Sequence, residues 1–158
     1  MEVRPLAEPT YVTIQQSAPQ DLEETIRALA ADGRGWVNLR PHVDEDDMPP
    51  VPSGITRIFS GRGPAVPMAT FVAGRGGKVH QIGIEHGSGP KAARRLAEAG
   101  VTVPSGAVVK GDHGRRGLVV NVPFDADPAA IARFLLDGAR ALSAVPIGGT
   151  WEAEVYSG

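Results

Sequence analysis

Along much of the chain apolar residues recur either at every second position or at every third and fourth, and these two periods alternate in blocks. Residues 11–16, YVTIQQ, put Val12 and Ile14 on one face and Tyr11, Thr13 and Gln15 on the other, which predicts a half-buried strand. Ser17 and Gln20 then suit a capping box with Pro19 in the first turn, and Leu22, Ile26, Leu29 and Ala30 follow at helical spacing. Gly33 and Gly35 close that helix. In 36–43, WVNLRPHV, the positions Val37, Leu39 and Val43 face one way and Trp36, Asn38, Arg40 and His42 the other. Pro41 lacks a backbone donor, so this strand is expected to end there or to lie at a sheet edge.

Residues 44–64 form a long acidic and proline-rich loop in which only ITRIF has strand character, and loops of this length in a compact domain are usually functional or mobile. VPMATFVA and KVHQIGIEH, separated by GRGG, predict a hairpin, and AVVKG and GLVVNV around DHGRR predict another. A helix is expected over 90–99, with Ala92, Leu96 and Ala99 inward. Another starts at Pro128 behind an Asp127 cap, lined by Ile131, Phe134, Leu135, Ala139 and Leu142. The last strand, GTWEAEVY, alternates Trp151, Ala153 and Val155 with Glu152, Glu154 and Tyr156. The resulting fold class is α+β: a mainly antiparallel sheet of about six or seven strands with about three helices covering one sheet face. The unit around VTIQQSAPQDLEETIRALA echoes VVNVPFDADPAAIARFLLDGA in element order and proline placement, which suggests two related halves.

Length and charge narrow this picture. At 158 residues the chain is expected to be a single domain spanning 1–158, and its net charge of -2 supplies no bulk attraction to nucleic acid or anionic membrane. There is no cysteine, so disulfides, thiolate nucleophiles and cysteine-ligated metals are excluded. No leader-like or membrane-spanning apolar run is present, and a soluble, cytoplasmic protein is expected.

The stretch QIGIEHGSGPKAARRLAEAG runs from a strand through Gly87, Ser88 and Gly89 into a helix bearing Lys91, Arg94 and Arg95. Free N–H groups at a helix start attract anions, so these six residues are the candidate anion or ligand site; the same residues also suffice as plain helix punctuation. Gly87, Gly89 and Ala92 fit G-x-G-x-x-A, but antiparallel returns disagree with a dinucleotide-binding sheet. GRGGKV is no P-loop, since Val72 and Val79 replace the required Gly and Ser/Thr.

In element order, and in the Gly87–Gly89 turn, the chain resembles the GNAT-type N-acyltransferases. In that family a Q/R-x-x-G-x-G/A turn wraps the pyrophosphate of acetyl-CoA; here both glycines match and Ile84 stands at the Gln/Arg position. The resemblance implies CoA as cofactor and acyl transfer as activity.

His80 and His86 lie at opposite ends of one strand, about 20 Å apart if it is extended, and cannot share a metal; they are expected at water-accessible strand ends. HVDEDD offers hard oxygen ligands without EF-hand spacing, so no metal site is assigned. The GRG triplets read as soluble turns rather than nucleic-acid contacts.

Tyr11, Trp36, Asn38, Arg40 and His42 lie on one predicted polar sheet face, with Thr13, Gln15, Gln81, Glu152, Glu154 and Tyr156 as further members. Aromatics among hydrogen-bonding groups suit a small molecule or a protein partner. The expected function is therefore a non-catalytic binding module without an identified cofactor or catalytic residue. A CoA-dependent acyltransferase-like enzyme and a homo-oligomeric interaction protein, such as a homodimer, are the alternatives.

Overall fold

The computed structural model describes residues 8–48 and 63–157. In chain order they form β1 (Thr10–Gln15), α1 (Gln20–Asp32), β2 (Trp36–Pro41), a 3-10 turn (Glu45–Asp47), β3 (Met68–Val72), β4 (His80–Glu85), α2 (Ala92–Glu98), β5 (Val108–His113), β6 (Gly117–Val122), α3 (Pro128–Ala141) and β7 (Thr150–Tyr156). The strands make one seven-stranded sheet in the order β1-β7-β2-β3-β4-β6-β5, with every neighbouring pair antiparallel. The chain is thus α+β, as the alternation of periods predicts.

Period-two alternation decides the two faces. Ile14, Val37, Leu39, Phe71, Ile82, Ile84, Val120, Trp151 and Ala153 are almost entirely removed from water, as are Leu22 and Ile26 of α1, Leu96 of α2 and Phe134 and Leu135 of α3. All belong to one apolar cluster. Each such large side chain contributes roughly 1.5–3 kcal/mol by leaving water. Helices α1 and α3 pack on each other, α3 lies over β3 and β4, and α2 lies over β5 and β6. Gly138 lets α3 approach the sheet, because a Cβ there would stand 2.8 Å from the Ile84 Cδ1 atom. The opposite face of the sheet carries no helix among the described residues.

The two echoing segments become β1-α1-β2 and β6-α3-β7. Strand β7 sits between β1 and β2 and is antiparallel to both, so β1 and β2 run parallel on either side of it. The helices of the two segments meet over the core.

Local details depart from expectation at several points. The capping box at Ser17 does not form: the residue preceding α1 is Pro19, and no side chain caps the helix. Gly33 closes α1 in the left-handed region, donating its N–H to the Leu29 carbonyl at 2.9 Å. Helix α2 begins at Ala92 rather than Pro90, because Lys91 has φ 61 and cannot continue a right-handed turn. Asp127 does cap α3, accepting from the Ala129 N–H at 3.0 Å with Pro128 at the helix start. Pro41 ends β2, yet β2 is an interior strand between β7 and β3, not an edge. Of the long 44–64 loop, ITRIF and its surroundings lie outside the described residues. Among the described residues, no helix is long and apolar enough to cross a membrane.

Candidate functional site

The uncovered sheet face gathers the polar and aromatic positions of the alternation. Register aligns Tyr11, Glu154, Asn38, Thr70, Gly83 and Val119 in one row across six strands, each opposite the next. Glu154 is the hub of this row. One of its carboxylate oxygens accepts from the Tyr156 hydroxyl at 2.9 Å and from the Asn38 Nδ2 at 3.3 Å, and the other from the Arg40 Nη1 at 3.3 Å. Thr70 donates to the Asn38 Oδ1 at 3.1 Å, which fixes the amide's orientation and carries the network onto β3. Beside it, cross-strand neighbours Trp36 and Tyr156 stack with ring centroids 4.6 Å apart and planes 16° from parallel. Tyr11, 59% exposed, and Trp36, 39% exposed, leave aromatic surface to solvent.

These contacts set the electrostatics. Hydrogen bonds from Tyr156 and then Asn38, with Arg40 adding, hold the Glu154 carboxyl below the ordinary glutamate range. Acceptance of its proton by Glu154 pushes the Tyr156 phenol above the usual tyrosine value. Tyr11, Trp36, Asn38 and Arg40 are thus brought together with Glu154 and Tyr156. His42 is not: it follows the end of β2, donates its backbone N–H to the Thr150 carbonyl, and points an exposed ring toward Asp44 at 3.6 Å.

Gly83 interrupts the row. Without a side chain there, the open face sinks into a depression of about 140 Å³ lined by Thr70, Val72, Gln81, Gly83, Glu85, Arg116 and Val119 among others. Thr70 and Gly83 are functional candidates that the sequence alone did not single out; a glycine in mid-strand is the signal that marks such a place.

The Gly87-Ser88-Gly89 turn is internally bonded. The carboxylate of Asp112 accepts from the Ala92 N–H at 2.9 Å and the Ala93 N–H at 3.0 Å, so the donors expected to meet an anion meet β5 instead. Arg95 donates to the Ser88 Oγ at 3.1 Å and to the carbonyls of Gly89 and Pro90 at 2.9 and 3.2 Å. Arg94 pairs with Glu98 on the exposed side of α2, and Lys91 is exposed. Strands β4 and β6 remain paired from His80 to Ile84, without the splay into which a CoA pantetheine arm would enter.

Both strand-end histidines are buried, not in contact with water: His80 is 2% and His86 0% exposed. His80 accepts from the Gly74 N–H at 2.8 Å through Nδ1 and donates through Nε2 to the Phe124 carbonyl at 3.1 Å. The His86 Nδ1 accepts from the Ser88 hydroxyl at 2.8 Å and its N–H at 3.3 Å, leaving Nε2 without a partner among the described residues. Burial first, then the Arg95 charge, lowers the His86 pKa, with Asp112 opposing. This serine–histidine contact has the reach of a nucleophile and base, but Asp112 spends its oxygens on the start of α2 instead of orienting the histidine. Its evident work is to lock the turn.

A second hollow, about 300 Å³, lies between residues 100–105 and α3. The carboxylate on its wall is already engaged, since Asp137 accepts from the Gln16 Nε2 at 3.0 Å and Gln16 in turn accepts from the Trp151 indole at 2.8 Å. Among the described residues no three His, Asp or Glu side chains converge on a metal position. Neither a family model, nor a curated protein, nor a solved structure matches this chain.

Proposed function

We propose that the protein is a binding module and that its open sheet face is the recognition surface. The observation that carries this reading is the grip of Tyr156, Asn38 and Arg40 on Glu154 beside the Trp36–Tyr156 stack. Exposed polar side chains ordinarily sample many rotamers, and ordering them opposes binding by about 0.5–1.5 kcal/mol each. Here that ordering precedes the ligand. An aromatic platform beside fixed donors and acceptors suits a small molecule, or a partner segment, with both a flat apolar part and hydrogen-bonding groups. The CoA-dependent alternative draws less support, because the helix start that follows the Gly87 turn gives its Ala92 and Ala93 donors to Asp112 and β4 and β6 do not separate.

The test is a thermal-shift screen of small metabolites, nucleotides and CoA, with Trp36 emission as local reporter, since Trp151 is only 1% exposed. A ligand of the open face raises the melting temperature and shifts the emission; both effects disappear in Glu154→Gln, and the stabilisation disappears in Trp36→Ala. Stabilisation that survives both substitutions moves the site elsewhere and overturns the reading.

A further inference from the structure

Among the described residues, β1 and β5 are the two edges of the sheet, and they are protected differently. At β5 the ladder is broken between Val109 and Gly111, and Lys110 and Asp112 add charge, which are the usual devices against a further strand. At β1, Thr10–Gln15, there is no charge, no proline and no bulge, and its residues are of the kinds that favour strands.

The hydrogen-bond direction along β1 follows from one bond. Gln16 donates to the Gly149 carbonyl at 2.7 Å, in register with the β1–β7 ladder. Even-numbered residues therefore direct their backbone groups to β7, and odd-numbered ones direct theirs outward. At one end of the outer row Gln15 is engaged, its carbonyl accepting from the Ala18 N–H at 3.0 Å in an isolated bridge. At the other end Pro9 has no N–H. Between them stand the outward N–H and C=O groups of Tyr11 and Thr13, placed symmetrically about Val12.

We infer that β1 pairs with β1 of a second copy of this chain, antiparallel about a two-fold axis at Val12, to make one continuous sheet. In this register Tyr11 faces Thr13 of the second copy and Thr13 faces Tyr11, so every outward group of the two residues is bonded. Pro9 then faces Gln15, setting the residue that lacks a donor against the one whose carbonyl is already used. Moving the axis to Tyr11 opposes Pro9 to Thr13 and strands the Thr13 carbonyl; moving it to Thr13 opposes Tyr11 to Gln15 and strands the Tyr11 N–H. The absence of charge on β1 is what self-pairing demands, because a two-fold axis brings like residues together. Val12, partly buried on the helical side, meets its own copy there. This inference stands on the strand edge and does not depend on the open-face reading.

The natural lack of cysteine makes the register testable. Val12→Cys places two thiols in a non-hydrogen-bonded antiparallel pair, about 4.5 Å apart at Cα and within disulfide reach. Thr10→Cys sets them four residues out of register. The expected results are a dimer by light scattering for the native chain, a disulfide-linked dimer on mild oxidation of Val12→Cys but not of Thr10→Cys, and a monomer with unchanged circular dichroism for Thr13→Pro. Amide exchange at Tyr11 and Thr13 is slow in the native protein, and the Tyr11 amide exchanges fast in Thr13→Pro, where position 13 has no amide. A native monomer, equal cross-linking of both cysteine variants, or a dimer that survives Thr13→Pro overturns the inference. So does a monomer whose Tyr11 and Thr13 amides are protected only by an unrelated extended peptide, which assigns the edge to a foreign strand.

Discussion

The carboxylate of Asp112, on β5, accepts the backbone N–H groups of Ala92 and Ala93 at the start of α2. The residue preceding α2, Lys91, is in the left-handed region and caps nothing with its side chain. A strand twenty residues away thus satisfies the helix, as the separation in sequence of Asp112 and Ala92 records. It also balances the positive end of the helix with a built-in anion.

Asp112→Ala is expected to lower stability by about 1–2 kcal/mol, the usual cost of losing a cap. It should also leave the Ala92 and Ala93 donors open to a solution anion. Urea unfolding with and without phosphate checks this: phosphate should stabilise the variant more than the parent, and equal responses would mean that the donors stay closed.

At the open face, Glu154 gains from its partners only while ionised. Its folded pKa lies below that of the unfolded chain, so the stabilisation is present at neutral pH and fades as the pH falls through the folded value. The gap in melting temperature between the parent and Glu154→Gln should therefore narrow in acid. Absorbance titration should find Tyr156 above the normal tyrosine range in the parent and lower in Glu154→Gln, because the charged acceptor is gone.

His86 has the opposite chemistry and the same sign. To become charged it must place a proton on Nδ1, which faces the Ser88 hydroxyl and N–H, within a buried site beside Arg95. Its folded pKa lies below that of the unfolded chain, so stability should fall as the pH drops from the unfolded value through the folded one. Melting temperature between neutrality and mild acid measures this, and His86→Asn, which keeps an acceptor near Nδ1 but does not titrate, should flatten the profile. His86→Ala leaves the Ser88 donors unsatisfied and should cost about 1–3 kcal/mol.

Gly83→Ala separates stability from recognition. A Cβ at this position meets the Leu118 carbonyl oxygen at 3.4 Å, with no unusual backbone angle to oppose it. Replacing glycine should stabilise the fold by about 0.4–1 kcal/mol through the unfolded state. The same methyl enters the depression on the open face, so a ligand seated there should bind more weakly. Chemical denaturation and a binding isotherm read the two effects separately.

What the sequence by itself determined is everything carried by local periodicity. The alternation in 11–16, 36–41 and 150–156 placed Val12, Ile14, Val37, Leu39, Trp151 and Ala153 inward, and Asp127 with Pro128 marked the start of α3, because side-chain parity and helix capping act within a few residues. Tertiary structure alone decided which strands are neighbours, since antiparallel registry is a long-range choice that no single segment encodes. That choice set Glu154 between Tyr11 and Asn38, and it made β2 an interior strand despite Pro41. It also brought Asp112 to α2. The glycine-rich turn read locally as an open helix start, and only the folding of β5 over it supplied the carboxylate that closes it.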